Sequence, residues 1–308
     1  MNDKSLIEQA AKRLEELRRS RPVEANGKSA FAESGSFAPV ATPGVVRSQP
    51  TRAAQERSES VDIDLTYLAA AGFITPNAPR TRIADEFRIL KRPLIANASD
   101  RGAQSIRNGN LIMVTSAVPG EGKTLCAINL AMSIALELDR TVLLVDADVA
   151  RPSLPKYLGV QPRRGLLDVL DHSSLDLSQV LLRTNVEKLT LLTSGGARGR
   201  ATELLASASM ARLLDEMANR YADRIVIFDS PPLLAATESQ VLATQMGQIV
   251  LVVHAESTSQ SEVGHAIAAI ESCPVKMLVL NQVKTAGQGA FGHGYGYGYG
   301  YGADSRKG

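Results

Sequence analysis

The clearest chemistry in this sequence lies in Ala117-Val118-Pro119-Gly120-Glu121-Gly122-Lys123-Thr124. A β-branched and apolar run, Leu111 to Ser116, leads into it and an apolar run from Leu125 to Leu138 follows. The spacing predicts a buried strand, a glycine-rich turn and a helix in succession. That context suits a polyphosphate. Successive backbone N–H groups in such a turn converge on an anion, the helix N-terminus adds partial positive charge, and glycines at 120 and 122 let the backbone come close. Pro119, Gly120, Glu121, Gly122, Lys123, Thr124 and Leu125 form the expected nucleotide-binding set, with Lys123 at the β- and γ-phosphates and the Thr124 hydroxyl at a magnesium position. Ala117 holds the place where this pattern usually begins with glycine.

Two other strand ends carry acids. Val142 to Val145 runs into Asp146-Ala147-Asp148, and Ile225 to Phe228 runs into Asp229-Ser230-Pro231-Pro232. An acid after one strand is common turn chemistry. Two strands delivering acids to the edge that also holds a phosphate loop match what magnesium-dependent phosphoryl transfer requires. Lys123, Asp146, Asp148 and Asp229 are therefore the candidate catalytic residues, and Thr124 is the magnesium ligand that the loop pattern itself supplies.

These residues need a scaffold that brings strand ends together. Further apolar strands are expected at 188–193, 224–229, 247–253 and 275–282, with helical patterns at 165–171, 202–220, 236–245 and 258–271. Strands alternating with helices imply an α/β fold with a mainly parallel sheet covered on both faces, where ligands bind at the carboxyl ends of the strands. A chain of 308 residues with 44% hydrophobic residues can bury such a core. A net charge of +2 points to neither nucleic acid nor membrane. No apolar run approaches the ~20 residues of a membrane span, and the charged residues 1–20 argue against a signal peptide, so a cytoplasmic protein is expected. Cys126 and Cys273 lack metal-ligand spacing and read as buried free thiols.

Organisation outside the sheet is read from composition and periodicity. Residues 1–20 hold an amphipathic helix with Leu6, Ile7, Ala10, Leu14 and Leu17 on one face. Residues 21–60 are rich in Ser, Ala, Pro and Gly and read as a flexible tether. A helical segment at 61–100 carries Ile83, Phe87, Leu90, Leu94 and Ile95, with Asp85, Arg88, Lys91 and Arg92 between them. The main domain is expected at 101–285. From 286 to 308 a Gly/Tyr tail places tyrosine at every second position, and the glycines favour disorder over a strand.

Val142 to Pro152, taken with Ala117 to Thr124 and Ile225 to Pro232, resembles the bacterial tyrosine kinases of capsule and exopolysaccharide synthesis. The resemblance covers about residues 80–283 and continues in Thr202 to Leu205. It is close to the exosortase-associated tyrosine autokinase branch through Phe87 to Leu94 and the N-terminal helix. It implies a P-loop NTPase fold, ATP and Mg²⁺ as cofactors, Asp146 as acceptor of the tyrosine proton, and Asp148 and Asp229 as magnesium-orienting acids. Tyr295, Tyr297, Tyr299 and Tyr301 are then the expected phosphoacceptors, modified in trans. A homo-oligomer is also implied, contacting through a helix similar to that carrying Asp85, Arg88 and Lys91, and so is activation by a membrane polysaccharide-chain-length regulator that recruits the chain to the inner membrane face. Two other readings compete: a partitioning or positioning ATPase switch, against which Val118 stands where those proteins typically carry lysine, and a nucleotide-binding adaptor with little catalysis.

Overall fold

Eight strands hydrogen-bond into one sheet in the order β1-β4-β5-β3-β6-β2-β7-β8. They are β1 (Ser60–Val61), β2 (Leu111–Ser116), β3 (Thr141–Asp146), β4 (Leu182–Thr184), β5 (Leu189–Leu192), β6 (Arg224–Asp229), β7 (Gln248–His254) and β8 (Val275–Asn281). The computed structural model describes residues 59–284 apart from 78, 100, 101, 103, 104, 197, 221 and 222. The expected N-terminal helix, nearly all of the tether and the tyrosine tail lie outside the described residues.

Every neighbouring pair is parallel except β4 with β5. The three central strands are apolar along their length because both faces are covered. Ile112 and Val114 of β2 and Val142 and Leu144 of β3 enter one core, while Leu111, Met113, Leu143 and Val145 enter the other. The first core is covered by α1 (Leu65–Ala70), α2 (Arg82–Ser99) and α3 (Lys123–Ala135). The second is covered by α5 (Leu166–Asp171), α6 (Ala201–Leu205), α7 (Ala208–Arg220), α8 (Thr237–Ala243) and α9 (Gln260–Ala269), while the short α4 (Leu154–Leu158) packs Leu154 and Leu158 into the first core.

Register is what matters for chemistry. Asp146 pairs with Asp229 across β3 and β6, and Val114 pairs with Asp229 across β2 and β6. Both acids and the loop after β2 therefore emerge at one edge.

Several expectations need correction. The strand expected at 188–193 is β5, parallel to β3, but its antiparallel partner β4 was not expected, because three residues are too few to show alternation. The helical pattern at 202–220 is two helices, because the Ser207 hydroxyl accepts from Met210 N–H at 3.2 Å and starts α7 afresh. Helix α4 was not expected; it closes on Gly159 at φ +68°. The tether reading ran through 60, yet Ser60 is already in β1.

The boundary drawn at 100 is not a boundary in packing. Leu68, Phe73, Phe87 and Leu94 share a core with α3 and the sheet, and the Asn129 side-chain oxygen of α3 accepts from Ile74 N–H at 2.7 Å. Buried Gln248 donates to Leu94 O at 3.0 Å and Gly109 O at 2.5 Å, tying α2 to β7. The residues 61–100 are thus part of the sheet's own covering layer.

Lys91 also departs from expectation. It is 6% exposed, with its ammonium 2.7 Å from Glu137 and 2.5 Å from Ser133 O. It braces α2 against the end of α3 and leaves the set expected to meet another subunit. Asp85 and Arg88 pair with each other at 2.5 Å and stay exposed. Replacing Lys91 with Met keeps the stem but leaves a buried carbonyl without its donor, so unfolding free energy should drop by about 1–3 kcal/mol in a denaturant titration. An unchanged midpoint would show that the brace carries no stability.

Candidate active site

The turn after β2 has the geometry of a phosphate cradle. Gly120 and Gly122 both lie at φ +89°, where a side chain is strained. A Cβ on Gly122 would also stand 2.1 Å from the Asn281 amide nitrogen. Val118 N–H is committed to Glu121 Oε2 at 2.8 Å, and Pro119 has no N–H, so the donors left for an anion begin at Gly120. Gly122 caps α3 without a side-chain bond, leaving the first-turn N–H groups of Lys123, Thr124 and Leu125 to a ligand. The loop is fixed to the sheet by Ser116 Oγ, which donates to Val118 O at 2.8 Å, and the strand end beneath it is tied to the segment after β6 by Thr115 Oγ1, which donates to Pro231 O at 2.8 Å.

A cavity of about 710 Å³ opens over this loop, lined by Lys123, Thr124, Asp148, Arg151, Tyr157 and Gln282 among others. Lys123 and Asp148 line it, and Asp146 and Asp229 lie buried behind them at the ends of β3 and β6. The Lys123 ammonium lies 2.7 Å from Asp148 Oδ2, and Asp148 Oδ1 accepts from Arg151 N–H at 3.1 Å. Asp146 Oδ2 accepts only a long bond from Leu154 N–H, 3.3 Å. Asp146 Oδ1 and both oxygens of Asp229 have no partner in hydrogen-bonding geometry although both residues are fully buried. The Thr124 hydroxyl stands 2.9 Å from that of Ser153.

Burial, reinforced by the charges of Asp229 and Asp148, pushes the Asp146 carboxyl up to about 8. Burial also raises Asp229, to about 6, with the Lys123 ammonium and the Thr124 hydroxyl holding it down and Asp148 opposing them. Three acids sharing one lysine are short of positive charge. Cys126, beneath the loop, is a buried free thiol pushed up to about 12 by burial and then by Asp229, and Cys273 is likewise free and buried; neither is reactive in this state.

Residues 107–283 match the family described as "ParA: NUBPL iron-transfer P-loop NTPase". Tyrosine-protein kinase YwqD of Bacillus subtilis is 32% identical over 71% of this chain and 90% of its own length. Putative tyrosine-protein kinase EpsB of Ralstonia nicotianae is 33% identical over 70% of this chain, which spans only 28% of that longer protein. Among solved structures, the chimerical protein CapA2B2 superposes with a TM-score of 0.56 at 26% identity, covering 71% of this chain and 93% of that one. The chain belongs to the bacterial tyrosine-protein kinases.

The P-loop NTPase fold of this tyrosine kinase implies nucleotide binding with Mg²⁺, and its residues fit that group. Orphaned carboxylate oxygens on Asp229 and Asp146, beside the Thr124 hydroxyl, supply hard oxygen donors next to a phosphate cradle.

Sequence reasoning missed several residues of the kinase site. Arg151 and Ser153 lie in the connection between β3 and α4, where no periodicity marks them. Asn281 and Gln282 cap β8 and donate to Glu121 O at 2.8 Å and Gly120 O at 3.2 Å. Their place at a strand's carboxyl end was the available signal. Glu121 was expected among the nucleotide contacts, but its side chain faces away from the cavity.

The carboxyls raised in the folded kinase hold protons that the unfolded chain would have lost. Their contribution is complete below the unfolded value near 4 and is lost as pH rises through about 6 for Asp229 and about 8 for Asp146. Without nucleotide or metal, these two groups should therefore make the melting temperature fall between about pH 4 and pH 8, with Asp146 alone acting above about pH 6. Asp146→Asn should flatten the upper part of that fall and be the more stable protein at pH 9. Parallel melting curves for the two proteins across this range would refute the assignment.

Proposed function

We propose that this kinase transfers the γ-phosphoryl group of ATP to Tyr295, Tyr297, Tyr299 and Tyr301 of another copy of the same chain, and that it serves exopolysaccharide synthesis or export. The observation that carries the reading is the convergence of Lys123, Asp146, Asp148 and Asp229 on the phosphate loop with three buried carboxylate oxygens lacking a partner. The backbone N–H groups from Gly120 to Leu125 hold the β-phosphate and orient the chain of phosphates. Lys123 leaves Asp148 for the β- and γ-phosphates and neutralises charge that develops in transfer. Thr124, Asp148 and Asp229 would hold Mg²⁺, which supplies charge neutralisation at the transferring group. Asp146 has a higher proton affinity than an ordinary carboxylate, and with positive charge in the cluster it is ionised and takes the phenolic proton. The phenolic oxygen bonds to the γ-phosphorus, the bridging oxygen bond breaks, and ADP departs.

The tail's reach is adequate for transfer between copies. From Val283 to Tyr299 an extended chain spans roughly 50 Å at ~3.3 Å per residue. Among the described residues no helix is long and apolar enough to cross a membrane, so recruitment to the inner face by a membrane chain-length regulator, as the family resemblance implies, supplies both location and activation. The Phe87 to Leu94 segment supports placement near the exosortase-associated branch.

Mass spectrometry after incubating the full chain with Mg²⁺ and ATP should locate phosphotyrosine within 295–301. Lys123→Met and Asp146→Asn should each lower labelling by roughly two orders of magnitude or more while melting cooperatively. Mixing Lys123→Met chains with wild type should label the variant's tail. Phosphate on serine or threonine only, or an unlabelled variant in the mixture, would defeat the tail assignment or the transfer in trans. The cytoplasmic tail of the cognate membrane regulator should raise the initial rate at least tenfold, and equal rates with and without it would remove the dependence.

A further inference from the structure

Glu121 sits within the phosphate loop, yet its carboxylate is turned out of the cavity and is 1% exposed. Oε2 accepts from Val118 N–H at 2.8 Å, Oε1 accepts from His254 N–H at 3.0 Å, and the Thr258 hydroxyl donates to the same Oε1. No ion pair neutralises it among the described residues. A buried carboxylate satisfied wholly by neutral donors is a costly choice unless both oxygens are needed as acceptors. Here they are, because the group spans two parts of the chain. One oxygen holds the loop's first N–H, and the other holds the end of β7 and the turn before α9. The Asn281 and Gln282 amides grip the loop's own carbonyls from the same side.

We propose that Glu121 is a positioning residue for the nucleotide, with Thr258 as its partner: together they set the loop's shape from behind, before a phosphate arrives. Val118 N–H is drawn away from the cavity, Gly120 and Gly122 are held in their left-handed conformations, and the N–H groups that follow are left convergent. A preformed cradle gives up less ordering entropy on binding, so the effect falls on affinity. Glutamine cannot replace glutamate here. Its amide nitrogen must face either Val118 N–H or His254 N–H, and in each orientation one backbone donor loses its acceptor.

The proposal rests on the reading of this loop as the nucleotide site and is tested by ADP binding, which needs no phosphoryl transfer. In the full chain, Glu121→Gln should raise Kd for ADP with Mg²⁺, and KM for ATP in tail labelling, by about tenfold or more, with kcat at saturating ATP within about threefold of wild type. Thr258→Val should shift both in the same direction by a smaller factor, Thr258→Ser should restore wild-type values, and the Glu121→Gln/Thr258→Val effects should fall short of the product of the two single effects. A role confined to stability would lower the melting temperature and leave Kd unchanged; that outcome, or identical values for Thr258→Ser and Thr258→Val, overturns the proposal. Should Glu121→Gln fail to fold, the Thr258 pair decides alone. Loss of ADP binding in wild type would defeat the nucleotide-site reading itself, whereas tight ADP binding without tail labelling would leave the positioning role intact and defeat only the phosphoacceptor assignment.

Discussion

Burial of carboxylates that one sheet edge brings together, with their mutual repulsion added to it, is the constraint on which this molecule turns. Asp146 and Asp229 are register partners on adjacent parallel strands, so neither can move aside without shifting every side chain on its strand to the other face. The apolar runs that precede them are buried on both faces and hold that register. Hydrophobic burial along β3 and β6 thus keeps two acids where isolated side chains would not stay. Their unpartnered oxygens are the residue of that conflict, and cations with phosphate are the chemistry that relieves it.

The Lys123 ammonium, which the phosphate loop carries into this cluster of acids, is paired with Asp148. In the proposed mechanism, phosphate oxygens entering the loop would compete with Asp148 for the same ammonium. Binding would then release a carboxylate as it captured a lysine, and would link the proposed nucleotide and metal sites through one side chain.

Most of this was legible in the sequence because it depends on strand ends. An apolar run closing on Asp146 or Asp229, and a glycine-rich turn between strand and helix, state both local structure and chemistry in contiguous residues. Residues supplied by returning segments were not legible in that way. Glu121 reads as one more loop position, and its partners His254 and Thr258 lie more than 130 positions away. Asn281 likewise becomes meaningful only when β8 is known to lie beside β7. Lys91 misled for a different reason: spacing showed that it could share a face with Asp85 and Arg88, but acceptors at the end of α3, Ser133 O and Glu137, draw its ammonium inward.

The position of Lys91 bears on how distant parts of the chain reach the site. Helix α3 carries Lys123 and Thr124 on its first turn, receives Ile74 at Asn129 in its middle, and meets Lys91 near its end at Ser133 and Glu137. A helix of 13 residues buried along nearly its whole length moves as one body. The α1 and α2 layer is therefore a brace on the same rigid element whose N-terminus forms the phosphate cradle, and β7 with β8 is the brace behind the loop. The catalytic floor is gripped from both ends of one turn, by packing on the helix side and by polar ties on the Glu121 side. Polar ties break for less than a core rearrangement requires, so the loop's adjustable side is the one that faces β7, β8 and Thr258.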